Sequence, residues 1–306
     1  MKLEGVHHIT AITADAQLNL DFYVGVLGLR LVKKTVNQDN PGVYHLFYSD
    51  QDGSAGSDIT FFEYPGLPRG RAGAGMVHTV IWRVGSAESL DFWEERLEKL
   101  GHRSQRTDEG LAFADPEGLR HLLQVSSAED PPLSATHPDI PPEHALQGFE
   151  GARAYSAAPG ASEILLGDGL AFERQGDVWE ARGESRGGTW AYDPPPEERG
   201  LQGAGTVHHI AWASKPEELD AWRERVMEAG ATPTPQIDRF YFKAVYFPEP
   251  SGVLFELSSL GPGFDVDEPL ESLGEKLSLP PDYEHLRDQI EPNLRPLVSP
   301  LAGRDD

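Results

Sequence analysis

Two histidine pairs stand far apart in this chain, His7-His8 within Val6-His7-His8-Ile9 and His208-His209 within Val207-His208-His209-Ile210. Each opens a stretch that closes on an apolar run carrying one glutamate, Ile59-Thr60-Phe61-Phe62-Glu63 and Val253-Leu254-Phe255-Glu256-Leu257. A carboxylate in such a run is costly to bury unless it is neutralised or bound to a cation. Imidazole and carboxylate on neighbouring strands are the ligands a divalent transition metal needs. Because strand side chains alternate, only one His of each pair can face the concave side of a sheet; the other falls on the opposite face or at the rim. Between His209 and Glu256 lie Arg239, in Ile237-Asp238-Arg239-Phe240, and Tyr246, in Ala244-Val245-Tyr246-Phe247, both expected on strands beside that of Glu256. Alone, Tyr246 reads as a core aromatic and Arg239 as the partner of Asp238 or another carboxylate. Beside a metal they become a phenol that can give or take a proton and a fixed cation for an oxyanion.

The elements that must carry these residues recur. Four short strands, at 5–10, 76–82, 151–155 and 206–212, each begin a unit of the form β-α-β-β-β. Helices follow at three-to-four apolar spacing over 15–27 (Leu18, Phe22, Tyr23), 86–100 (Leu90, Trp93, Leu97) and 215–229 (Leu219, Trp222, Val226), with Gly28, Gly101 and Gly230 where C-terminal glycines belong. The third unit is degenerate, with a short helix at 161–166. Aligning the repeats matches His8 with His209, Thr79 and Ala154, and matches Glu63 with Glu256 and Gln124. The expected fold is α+β, four modules pairing into two cupped mixed sheets, with units one and four around one metal and units two and three as a metal-free counterpart. Along the chain this divides into an N-terminal pair of modules (1–130), a Pro-rich linker (131–149), a C-terminal pair (150–260) and a Pro-rich tail (261–306) with one short helix near 283–290 and a mobile end.

Composition narrows the function. Against 26 Lys and Arg stand 50 Asp and Glu, a formal charge of -24 that repels phosphate backbones and anionic membranes, so nucleic-acid binding is not expected. There is no cysteine, which excludes thiol nucleophiles and thiolate-bound metal. The N-terminus has no apolar leader core, and no apolar run reaches the roughly 18 residues that span a membrane. The expectation is a soluble, cytoplasmic protein working through His, carboxylate, Tyr and Arg, with a homo-oligomer left open.

These residues resemble the vicinal oxygen chelate superfamily, which cups a metal between paired β-α-β-β-β modules. The resemblance covers roughly residues 4–260 and rests on His7-His8-Ile9-Thr10 followed by Asp21-Phe22-Tyr23 and Leu27-Gly28-Leu29. The four-module length, the second His pair, Arg239, Tyr246 and Glu256 resemble the branch of ring-cleaving dioxygenases that act on hydroquinones. That resemblance implies Fe(II), with Mn(II) as the alternative, held by His8, His209 and Glu256, with His7, His208, Arg239 and Tyr246 around it. Catechol-cleaving members draw all ligands from their last two modules, and Arg153 or Ala154 stands where their first His would be. The implied partners are a small aromatic diphenol and dioxygen. Two other readings remain at this stage: a glyoxalase I-type lyase or isomerase with Glu63 as a fourth ligand, and a metal-free aromatic-binding resistance protein.

Overall fold

The computed structural model describes residues 1–303. Unit one contributes β1 (Val6–Thr13), β2 (Arg30–Asn37), β3 (Asn40–Ser49) and β4 (Asp58–Glu63). Unit two gives β5 (Met76–Val84), β6 (Ser104–Thr107), β7 (Gly110–Ala114) and β8 (Arg120–Val125), and unit three β9 (Phe149–Tyr155), β10 (Glu173–Gln175), β11 (Val178–Arg182) and β12 (Gly187–Asp193). Unit four supplies β13 (Val207–Ser214), β14 (Ile237–Asp238), β15 (Phe242–Pro248) and β16 (Leu254–Pro262). They form two eight-stranded mixed sheets, in the orders β14-β15-β16-β13-β1-β4-β3-β2 and β10-β11-β12-β9-β5-β8-β7-β6. The α+β class and the two cupped sheets are as the sequence implies. Unit one joins unit four through antiparallel β1 and β13, and unit two joins unit three through β5 and β9. Each sheet therefore takes one unit from residues 1–130 and one from the later half.

Helices pack against the sheets, and two of them bury the expected apolar stripes. In α1 (Ala16–Leu20) the Asp15 carboxylate accepts the N–H groups of Gln17 and Leu18, a capping interaction that satisfies otherwise unpaired donors. Helix α2 (Ala87–Lys99) is capped by Ser86 and buries Leu90, Trp93 and Leu97; α3 (Leu219–Glu228) buries Leu219, Trp222 and Val226. One expectation fails. The first helix widens into a π-helical segment at Asp21–Val26, whose larger turn shifts the buried face: Phe22 and Tyr23 are buried, but Leu18 is 42% exposed. In unit three the short helix expected at 161–166 lies within one mixed helical stretch, 3-10 at Pro159–Ser162, α at 163–164 and π at Leu165–Gly169.

A buried polar chain docks one sheet on the other. The Trp82 indole N–H donates to His121 Nδ1 (3.1 Å), so His121 carries its proton on Nε2, which donates to the Tyr23 hydroxyl (3.0 Å); that hydroxyl donates to Asp115 (3.1 Å). Beyond β16 the tail lies along β2 and β3. Its Asp267 and Glu268 neutralise the fully buried Lys33, Phe264 packs on Phe47 and Tyr241, and the Tyr283 hydroxyl donates to the Gln38 carbonyl (2.6 Å). Two short helices, α4 (Pro281–Glu284) and α5 (Arg287–Ile290), replace the single one expected. The expected mobile end falls partly on residues 304–306, which lie outside the described residues. Among the described residues no helix is long and apolar enough to cross a membrane.

Candidate metal centre

Two β-bulges sit at the two histidine pairs. Along β1 and β13, Val6 faces Trp212 while His8 faces Ala211, leaving His7 as an extra residue; Thr10 faces His209 while Ala11 faces Val207, leaving His208 extra. A bulge re-aims the side chain it carries. The strict alternation expected from the sequence is thus broken at both pairs, and the rings of each pair meet: His7 Nδ1 lies 2.9 Å from His8 Nδ1, and His208 Nδ1 lies 2.8 Å from His209 Nδ1.

On the concave side, His8, His209 and Glu256 form one buried cluster. His8 Nε2 is 3.2 Å from His209 Nε2 and 3.4 Å from Glu256 Oε2, and His209 Nε2 is 2.9 Å from the same oxygen. Burial alone would raise the Glu256 pKa, but the two imidazoles hold it well below the usual carboxylate value. Neither ring aims an N–H at Oε2, which is buried without a hydrogen-bond donor. A cation at the common focus satisfies the oxygen and both nitrogens, and this donor set fits a divalent transition metal. Each member also has a partner behind it. His7 Nε2 must donate to the Ser259 carbonyl (3.2 Å), and burial, with His8 nearby, lowers the His7 pKa to about 3, so the ring is neutral. His7 Nδ1 therefore accepts from His8 Nδ1–H, which leaves His8 Nε2 bare for a metal. His208 can orient His209 in the same way, and Ser258 donates to Glu256 Oε1 (2.5 Å). Such outer partners fix the tautomer and direction of metal ligands.

The cluster opens onto a cavity of about 350 Å3 with aromatic walls from Phe47, Phe62 and Phe242. Tyr246 lies on β15 directly opposite Glu256, and burial pushes its phenol pKa upward. Arg239 is not on a strand beside that of Glu256, as the sequence suggested. It follows the two-residue edge strand β14, stacks over the Tyr246 ring at 5.4 Å, donates to its hydroxyl (3.3 Å) and pairs with Asp39 (3.1 Å), not Asp238. His208 lines the same cavity, with its pKa lowered to about 4 by burial and by His209. His7 does not line it; it lies behind His8.

Strand register corrects the repeat alignment. Thr10 and Ala211 each stand two residues past the clustered His, and they pair with Thr60 and Glu256. The counterpart of Glu256 in unit one is therefore Thr60. Glu63, three residues on, points to the other face and accepts the Ala16 N–H at the start of α1 (3.0 Å), away from the cluster. In the second sheet the same register puts Thr79 at the His8 position and Leu122, not Gln124, at the Thr60 position. It puts Gly151, not Ala154, at the His209 position and Ala191 at the Glu256 position. Sequence reading also passed over His45, whose ring lines the cavity and whose Nε2 bonds Thr60 Oγ1 (2.9 Å). The signal was present in β3, where Tyr44, Leu46 and Tyr48 face the core and His45 and Phe47 alternate with them.

Comparison with known proteins agrees with this architecture. The family model described as "Glyoxalase/Bleomycin resistance protein/Dioxygenase superfamily" matches residues 5–121 and 168–257. The chain is 42% identical to MhqO of Bacillus subtilis strain 168, provisionally named a ring-cleaving dioxygenase, over 96% of this chain and 97% of that protein. It is 29% identical to the chlorohydroquinone/hydroquinone 1,2-dioxygenase of Sphingobium indicum, over 98% of each. A crystal structure of a provisionally named dioxygenase from Bacillus subtilis superposes with a TM-score of 0.90 at 40% identity, over 97% of this chain and 98% of that one. Glyoxalase I from Zea mays shares the fold at 13% identity, with a TM-score of 0.58 over 89% of this chain and 97% of that one.

Proposed function

Because this chain belongs to the glyoxalase/bleomycin resistance protein/dioxygenase superfamily and gathers two imidazoles and one carboxylate in a buried cluster, we propose that it is a ring-cleaving dioxygenase. In this reading it holds Fe(II), or alternatively Mn(II), at His8, His209 and Glu256, and opens a hydroquinone-like diphenol, with or without ring substituents, using dioxygen. The observation that carries the reading is the three-donor cluster itself, with Thr60 where a fourth ligand would stand. The likeness to a chlorohydroquinone/hydroquinone 1,2-dioxygenase supports the substrate class. Iron held by such a set supplies a Lewis acid and electron chemistry toward dioxygen, with coordination positions left open.

The chain's own residues do the rest. Phe47, Phe62 and Phe242 enclose an aromatic ring in an apolar slot. Tyr246 stays a phenol at neutral pH and can donate a hydrogen bond. Arg239, anchored by Asp39 and stacked on Tyr246, offers a fixed charge to developing negative charge. His208 is neutral, and with Nδ1 accepting from His209 it carries its proton on Nε2, where it can donate to substrate oxygen. His7 holds His8 in its ligating tautomer. Protein reconstituted with Fe(II) without air, then given oxygen with hydroquinone or catechol in an oxygen electrode, should consume one O2 per hydroquinone ring opened and prefer hydroquinone. Turnover without oxygen would replace this reading with an isomerase or lyase, and tight diphenol binding without metal would replace it with a binding protein.

A further inference from the structure

Across the first sheet two cross-strand rows mirror each other through the β1–β13 pairing. One runs Tyr246, Glu256, Ala211, His8; the other runs Phe47, Thr60, Thr10, His209. In the first row a carboxylate completes the cluster. In the second, Thr60 is too short to reach it and its hydroxyl is held by Thr10 (2.8 Å) and by His45 Nε2 (2.9 Å). The His45 imidazole, reaching over from β3, packs on Phe47 and Phe62 with centroids 4.0 and 4.3 Å apart and lines the cavity. Most other polar groups of that wall are committed: Asn37 to Tyr64, Gln38 to the Arg239 carbonyl, Arg239 to Asp39 and Tyr246, and Thr234 to the Tyr246 N–H. His45 Nδ1 makes no hydrogen bond to another described residue.

We propose that His45, fixed by the Thr60–Thr10 hydroxyl pair, contacts the substrate and hydrogen-bonds its second hydroxyl, so that the site selects aromatic diphenols over monophenols. Four features point to this. His45 is in the cavity wall, its imidazole packs on two aromatics that would enclose a substrate ring, one of its nitrogens is tied down while the other is free, and it belongs to the half of the site that carries no carboxylate. A polar group so placed rejects an analogue that leaves it unpaired. The inference rests on the diphenol reading above and deepens it.

The test is anaerobic calorimetric binding of hydroquinone and of phenol to the Fe(II)-loaded full chain, with metal content measured on every sample. Wild type should bind hydroquinone about tenfold tighter than phenol, one hydrogen bond's worth of preference. His45→Phe should keep its metal and lose that preference, His45→Gln should restore part of it, and Thr60→Val, which releases the ring along with the Thr10 hydroxyl, should weaken it. A packing role for His45 would lower both affinities together and give no rescue by Gln. A His45→Phe protein that holds metal and still prefers hydroquinone overturns the proposal alone. Should His45→Phe fail to fold, an unchanged preference in Thr60→Val overturns it. Wild type that binds neither ligand overturns the diphenol reading and takes this inference with it.

Discussion

The first sheet presents His8, His209, Glu256 and Thr60 at the four positions where the second presents Thr79, Gly151, Ala191 and Leu122, on corresponding strands in the same register. Both sheets keep the bulges. In the second they fall at His78 and Glu150, and His78 Nδ1 bonds Thr79 Oγ1 (2.9 Å) much as His7 bonds His8. The bulge is therefore a property of the folded unit, and the His-His-Glu cluster is something added to it. The second sheet spends the same geometry on docking: His121 and Asp115 bind Tyr23 of unit one, and Arg83 pairs with Asp130 and Glu150. It has also closed the way back, because a Cβ on Gly151 would lie 2.1 Å from the Thr189 carbonyl oxygen.

The largest expected effect comes from making the first sheet like the second at one position. His8→Thr, the residue found at Thr79, should lower metal affinity at least about a hundredfold while circular dichroism stays native, since one of three ligands is lost. Putting a ligand back into the second sheet should fail differently. Gly151→His should destabilise the protein by about 3 kcal/mol, read as a fall in melting temperature, with no second metal bound. Tyr246→Phe keeps the cluster and should retain its metal while turnover drops about tenfold to a hundredfold, the range for removing a proton-handling group. The smallest effect belongs to Glu63→Gln. Removing a charged acceptor at the start of α1 should cost about 1 kcal/mol of stability and leave metal content unchanged; loss of metal there would reinstate Glu63 as a ligand.

Much of this contrast was legible in the sequence and some of it could not be. The repeated His-His dipeptide, the helix stripes and Glu256 in an apolar run are local signals, and they placed units one and four around the same cluster. Register is not local. Units one and four differ in loop length, so matching Glu63 with Glu256 by their similar apolar runs put the match three residues off and on the wrong face; only pairing with β1 identifies Thr60. Bulges leave no mark in a run such as Val6-His7-His8-Ile9, so alternation wrongly separated rings that touch. Asp39 and Arg239 meet through the sheet's curl, and His45 looked like any polar residue on a half-buried strand until its neighbours were known.

Anomalous diffraction at the iron edge from crystals loaded with Fe(II) without air tests the central claim most directly. A single peak between His8, His209 and Glu256, with nothing in the second cup, is the predicted result. No peak at that cluster, or a peak among the residues of the second sheet, would contradict it.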